Sequence, residues 1–361
     1  MSVVLTRLGL ARADRLLLAV ATVAAFLSGL LATTRAGAAP IFVVSSVALA
    51  LLAALMGQAT EQVGERLGPG ATVVLQATLG NLPELFVGID ALRAGLIIVV
   101  QATIVGSILG NSLLVLGLAF FVGGRRHGTQ RFRAETPRLI AALTLLSVAA
   151  LAVPTLAHGL HTAAGAHTDA LSVASAVVLL AVFLASIPVS LGGGPGAVLG
   201  PNMEREPPRW PLALAVAILA GAAVSAALVS GWFVAALTAA PAALHISPVF
   251  AGLVIVAIAG NAVKNAVGIH FAARNKPDYA ISVILNSSLR VAIGLTPALV
   301  LLSFILGTTH LTLVLPGLLL AALGLAAATG ALIVYDGEST WLEGLALIGL
   351  YGIIAAAFWW G

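Results

Sequence analysis

Long apolar runs alternate along the whole chain with short stretches that are charged, polar or rich in Gly and Pro. A helix that crosses a bilayer needs about 20 mostly apolar residues. Cutting the chain at its polar stretches predicts eleven such helices, near 16–34, 41–62, 70–92, 95–122, 136–157, 169–192, 210–232, 246–271, 278–306, 311–335 and 340–360. The fold class this predicts is an all-α polytopic membrane protein. The first run, from Leu16 to about Leu31, follows Arg7, Arg12 and Arg15. It is too long for a signal-peptide core and no A-x-A cleavage site precedes mature polar sequence, so it reads as a retained span.

Charge tests that count. Cytoplasmic loops carry an excess of Lys and Arg. With the N-terminus in the cytoplasm, thirteen of the seventeen basic residues fall inside, including Arg66, the Arg125–Arg138 cluster, Arg205, Arg209, Arg274 and Lys276. Only Arg35 and Arg93 fall outside, and Lys264 and Arg290 lie within spans. One span more or fewer before the 125–138 loop would destroy the asymmetry. The expectation is a plasma (inner) membrane protein with its N-terminus in the cytoplasm, its C-terminus outside and the bilayer as its first partner.

Composition agrees. Of 361 residues, 60% are hydrophobic and 8% charged, against about 25% charged in soluble domains. That excludes a water-soluble enzyme and a nucleic-acid partner, and the basic pI is accounted for by topology. The absence of Cys removes disulfides, thiolate metal sites and thiol nucleophiles. His158, His161 and His167 share one outside loop, read as solvated rather than as a metal site. No cofactor motif appears, and Gly192–Gly196 lacks the lysine and spacing of a phosphate loop. A homo-oligomer is neither required nor excluded.

Residues Leu79–Leu109 align without gaps to Ala259–Leu289 at an offset of 180. Gly80-Asn81 matches Gly260-Asn261, Val87-Gly88-Ile89 matches Val267-Gly268-Ile269, and Ser107 matches Ser287. The third span enters from one side and the eighth from the other, so the copies are inverted. The organisation predicted is an N-terminal segment with the extra first helix (1–40), a first five-helix repeat (41–200), a cytoplasmic linker (201–209) and a second five-helix repeat (210–361). Inverted repeats with Gly/Pro-interrupted spans mark secondary transporters, whose site lies at the interruptions. Gly80, Pro83 and Gly260 are the expected helix breaks. Backbone freed in this way is tolerated where it lines a wet cavity. The competing reading is a plain packing kink.

The first copy reads Gly57-Gln58-Ala59-Thr60-Glu61, then Gln76-Ala77-Thr78-Leu79-Gly80-Asn81-Leu82-Pro83-Glu84, then Gly106-Ser107-Ile108-Leu109-Gly110-Asn111-Ser112. The second reads Gly260-Asn261-Ala262-Val263-Lys264-Asn265 and Asn286-Ser287-Ser288-Leu289-Arg290, and Asp336–Gly344 leads into the last span. These motifs resemble the cation/proton exchangers of the calcium/cation antiporter superfamily, over nearly the whole chain after the first span. The resemblance implies alternating access and exchange of a cation, calcium by default, for protons. It also implies two symmetric glutamates, one per repeat, that take the cation or the protons.

Glu84 matches the first glutamate. The second position holds Lys264, the family histidine beside it is Asn265, and the glutamine after the second Ser-Ser is Arg290. Candidate oxygen donors are Glu84, Asn81, Asn261, Asn265, Ser107 and Ser287, with Glu61 and Gln76 as accessories; Glu84 is the candidate calcium ligand. Calcium takes six to eight oxygens, and an ammonium offers none. Unit charges 4 Å apart interact by about 4 kcal/mol at an effective dielectric of 20, roughly three decades of affinity. Burial lowers a lysine pKa, so Lys264 has two readings: a group that yields its proton as a cation arrives, or a permanent partner for Glu84. Arg290 stays charged. Charges inside a membrane are costly and functional by default. Three functions therefore stay open: calcium/proton antiport, the same fold with a monovalent cation or an anion as cargo, and a non-transporting membrane regulator.

Overall fold

The structure is a computed structural model that describes residues 10–34, 36–67, 69–191, 208–306 and 309–360; the side chains of 69–71, 73, 189, 191, 263 and 264 lie outside that description. Most of the 201–209 linker is therefore outside the described residues. Helix α1 spans Arg12–Thr33 and α2 Ala38–Leu67. Two short helices follow, α3 (Pro69–Leu79) and α4 (Leu82–Arg93). Next come α5 (Ile97–His127), α6 (Glu135–Gly159), α7 (Thr168–Leu191) and α8 (Leu212–Leu237). Helix α9 consists of Pro248–Ala262 and Asn265–Ala273, whose axes differ by 66°. The chain ends with α10 (Pro277–Leu306), α11 (Gly317–Ile333) and α12 (Trp341–Ala357).

Among the described residues seven helices are long and apolar enough to cross a bilayer, and the bent α9 makes an eighth. Helices α11 and α12 are shorter apolar helices, and the third expected segment is two short helices, α3 and α4, separated by a break at Gly80-Asn81. Each of the eleven segments expected from the sequence is thus helical, and the fold is the polytopic all-α one that the hydropathy pattern implies. Burial follows position in the bundle. Helix α1 packs on α2 and α8 and leaves Leu16, Val23 and Phe26 exposed, as suits a lipid-facing helix. Helix α5 is enclosed instead, with every residue from Val99 to Leu109 buried, as expected of a helix apolar on all sides.

Helices α5 and α9 cross at backbone contact. A Cβ at Gly106 would lie 2.0 Å from the Leu253 carbonyl oxygen, and one at Gly252 would lie 2.8 Å from that of Val99. Small residues permit this approach where apolar burial cannot drive association. Both α5 and α10 widen into a π turn, at Gly110–Val115 and at Val291–Leu295. These turns fall at nearly the same 180-residue offset as the sequence repeat. A third π turn, Ala251–Val256, opens α9.

Two details differ from the sequence expectation. The tenth expected span, α11, starts at Gly317, not near 311. Residues 309–316 are instead an irregular strap held by side chains from four helices. Gln101 donates to the carbonyls of Thr312 and Val314, and Thr155 donates to that of Leu313. Ser303, Ser172 and Thr155 accept from the amides of Leu311, Leu313 and Leu315. These bonds replace the helical ladder that the apolar composition suggests, and Pro316 then leads into α11. Trp341, Tyr351, Trp359 and Trp360 suit an interfacial aromatic belt by residue type, but Tyr351 is buried and the three tryptophans are exposed. On the arginine-rich face a two-residue antiparallel pairing, Gln130–Arg131 with Glu338–Ser339, joins the loops before α6 and α12.

Candidate functional site

The third span breaks where Gly, Asn and Pro cluster. Helix α3 ends at Leu79, and Asn81 is the N-cap of α4 with Pro83 at its start. The break creates two helix ends inside the bundle. The α4 N-terminus presents unpaired amides and a positive dipole end. Glu84 sits in that first turn and is 2% exposed. The C-terminal end of α3 presents carbonyls of the opposite sign. The Gln76 carbonyl accepts from the Gly80 amide at 3.2 Å and from Nη1 of Arg290 at 3.3 Å. A carboxylate therefore sits in the first turn after the break, and a guanidinium donates to the end before it.

The second break is displaced from its expected place. Helix α9 runs through Gly260 and bends only between Ala262 and Asn265. Gly260 serves close approach instead: a Cβ there would lie 2.8 Å from Cγ of Glu84 and 3.1 Å from its Oε1. The bend brackets Lys264, whose side chain lies outside the described residues. Asn265 starts the outgoing segment and is half-buried.

Buried hydroxyls and amides tie the repeats together beside Glu84. Asn261 donates to Ser107 at 3.4 Å and to the Ala257 carbonyl at 3.2 Å. Ser287 donates to Oδ1 of Asn261 at 3.3 Å and accepts from Asn111 at 3.0 Å. Ser112 and Ser288 share a hydrogen bond of 3.0 Å. This network joins α5, α9 and α10 and brings together three residues that the sequence placed in the site: Ser107, Asn261 and Ser287. Asn111, Ser112 and Ser288, from the same motifs, join it. Their signal was a short polar residue inside an apolar span, which in hydrocarbon needs a partner.

A cavity of about 310 Å³ lies next to this network, lined by Gln58, Glu61, Gln76, Asn286, Ser287 and Arg290 among others. Gly80 and Gly260 form part of its wall. Glu84 does not line it; Glu84 faces a small void that Gly260 also lines. Gly260 thus stands between the cavity and the carboxylate. Among the described residues the amide of Asn286, 2% exposed, has neither atom hydrogen-bonded, and the same holds for Oε1 of Gln58 and Oγ1 of Thr60, both on the cavity wall. Unsatisfied buried polar atoms are rare in native proteins and mark sites for water or ions. Glu61, an accessory candidate from the sequence, lies on this wall.

A knot of residues from three segments closes part of the mouth. Trp210, 1% exposed, donates from its indole to Asp14 of α1 at 3.2 Å. Gln62 accepts from the amides of Arg209 and Trp210 at 2.7 and 3.0 Å. Arg66 donates to the Trp210 carbonyl at 3.0 Å. Asp14, Gln62, Arg209 and Trp210 all line the cavity, so it faces the side that carries Arg66. Sequence reasoning missed this knot because its partners are 144 to 196 positions apart. Among the described residues no group of three His, Asp or Glu is placed to hold a metal. The site therefore sets the buried Glu84 beside a cavity whose wall carries Asp14, Glu61, Arg209 and Arg290 among amides and hydroxyls.

Comparison with known proteins decides the family. The sequence profile described as sodium/calcium exchanger protein matches residues 37–192 and 213–360. The chain belongs to the sodium/calcium exchanger protein family. Within this family of membrane transporters, it is 36% identical over 347 residues to the Ca2+/H+ antiporter of Synechocystis sp., covering 89% of this chain and 91% of that protein. It is 34% identical over 328 residues to the Ca2+/H+ antiporter ChaA of Bacillus subtilis, covering 89% and 92%. The solved structure of native YfkE matches with a TM-score of 0.80 at 30% identity, over 96% of this chain and 99% of that one. The exchanger is a transporter, not an enzyme, and belongs to a family that needs no cofactor.

Proposed function

We propose that this exchanger moves a cation, calcium by the example of its relatives, against protons by alternating access, with Glu84 as the group that both ions use in turn. The observation that carries this reading is Glu84 itself. It is a buried carboxylate in the first turn of a broken span, packed on Gly260 of the opposite repeat and separated by that glycine from a polar cavity. A carboxylate held there has three stable partners: a cation, a proton or a fixed positive charge. Exchanging the first two between opposite faces is antiport. The oxygens of Asn81, Ser107 and Asn261 and the carbonyls at the helix break supply neutral ligands of the kind calcium takes. We place the protein in a plasma membrane with the arginine-rich face in the cytoplasm, on the asymmetry of its basic residues.

The test is uptake into proteoliposomes under an imposed pH gradient, with calcium, sodium and potassium in parallel. Calcium uptake that collapses with the gradient supports the reading. A second reading keeps the fold and changes the cargo to a monovalent cation or an anion. Arg290 favours it, because a permanent charge on the cavity wall penalises a divalent ion twice as strongly as a monovalent one. Sodium or potassium flux without calcium flux would select it. The absence of flux for every ion would leave the regulator.

A further inference from the structure

The cavity holds an arrangement that the exchange reading does not use. Cations are favoured at the C-terminal ends of helices, where carbonyls lack partners. In broken-helix transporters such ends are where a coordinated cation gains its backbone oxygens. Here the end of α3 lies beside the cavity, and a donor has already taken one of its carbonyls: Nη1 of Arg290 is 3.3 Å from the Gln76 oxygen. Around it stand oxygens with no hydrogen-bond partner among the described residues, Oε1 of Gln58, Oγ1 of Thr60 and Oδ1 of Asn286. The Glu61 side chain faces the same space. A cavity with these acceptors, two acids (Asp14 and Glu61), Arg209 on its wall and the Arg290 guanidinium on the helix end is a cation station with a cation already tethered in it.

We infer that Arg290 is a resident cation of this station, competing with the transported ion for the Gln76 carbonyl end of α3 and so setting how weakly the exchanger binds its cargo from the cavity side. The inference rests on the cation-exchange reading for its physiological meaning. Its core, that Arg290 opposes cation binding at an oxygen-lined cavity, is measurable without transport. A guanidinium cannot step aside by losing its proton. It can only move, so an arriving cation must displace it from Gln76 or bind against its charge. Cation affinity should therefore be lower than the oxygen count of the cavity suggests, and it should rise when the charge is removed.

The experiment is equilibrium binding of radiolabelled calcium to the purified full chain in detergent, for wild type, Arg290→Gln, Arg290→Met and Arg290→Lys. The neutral variants are expected to bind calcium at least about tenfold more tightly than wild type, a change worth about 1.4 kcal/mol. Arg290→Lys keeps the charge only below the lysine's own pKa, which burial lowers; all forms are therefore also measured at a pH where the ammonium stays protonated, and there Arg290→Lys is expected to stay within about threefold of wild type. Two neutral variants are included so that one that fails to elute as folded protein does not decide the matter. Unchanged or weaker binding in a folded neutral variant would overturn the inference and make Arg290 a structural brace on α3. Tight binding by Arg290→Lys at that pH would also overturn it, since a brace specific to the guanidinium, not a charge, would then be at work. No calcium binding by any form would overturn it as well. Exchange in proteoliposomes is scored separately: wild type that does not exchange, with neutral variants that bind more tightly, would remove the proposed function and leave this inference standing.

Discussion

In the first repeat the span is cut through at Gly80-Asn81, and the helix that restarts carries a carboxylate in its first turn. In the second repeat the matching Gly260-Asn261 stays helical, the bend comes later, and the residue it brackets is Lys264. The backbones of the two halves still correspond elsewhere: α5 and α10 each carry a π turn at nearly the same offset. Backbone and side-chain chemistry have diverged together at the breaks, while the π turns have been kept. The reason lies in what each glycine must do. A Cβ at Gly80 would lie 2.4 Å from the Gln76 carbonyl oxygen, which is backbone. A Cβ at Gly260 would meet the Glu84 side chain of the other repeat. The first glycine shapes its own chain, and the second makes room for its partner's carboxylate.

That contrast can be broken or sharpened by substitution. The largest effect on folding is expected at the crossing that holds the halves in register. Gly106→Val places atoms on the Leu253 carbonyl, and overpacking of this kind costs about 1–3 kcal/mol or more. It should lower the melting midpoint in detergent and the yield of folded protein. Next come the matched glycines. Gly80→Ala should destabilise the fold, because backbone must shift. Gly260→Ala should melt close to wild type while losing roughly tenfold in exchange rate, because it displaces Glu84, whose side chain can turn. Equal melting loss in both variants would remove the distinction between the half-sites.

Smaller effects are expected in the network and at the mouth. Asn261→Ala leaves Ser287 and Ser107 each short of a partner, and a buried group left unsatisfied costs about 1–3 kcal/mol. Trp210→Phe keeps the buried ring and removes the bond to Asp14. It should cost about 1.5–3 kcal/mol, the range for a hydrogen bond to a charged group, while changing cation uptake from the cavity side more than from the opposite side. Ser112→Ala removes one neutral bond to Ser288 and should cost about 1 kcal/mol.

Much of this was legible in the sequence. Apolar run lengths and the sidedness of arginine placed eleven helices, because a bilayer enforces span length and loop charge on each segment separately. The Gly80–Glu84 break was legible because Gly, Asn and Pro act locally on their own chain. The second break was displaced because the conformation at Gly260 answers to Glu84, a contact that local sequence does not encode. The 309–316 strap escaped for the same reason: its backbone is satisfied by Gln101, Thr155, Ser172 and Ser303, which lie far away along the chain. The knot at Trp210 and the burial of Tyr351 are likewise products of packing between helices.

The role given to Glu84 carries the proposed exchange, and one comparison tests it most directly. Calcium uptake driven by an imposed pH gradient would be measured in proteoliposomes holding wild type or Glu84→Gln, with elution and melting profiles recorded for both. The expected result is saturable uptake by wild type and a loss of at least roughly a hundredfold in a Glu84→Gln protein that elutes and melts normally, since about 4 kcal/mol of charge interaction is removed. Uptake by Glu84→Gln at the wild-type rate would contradict it, and the buried carboxylate would then be part of the frame rather than of the transport cycle.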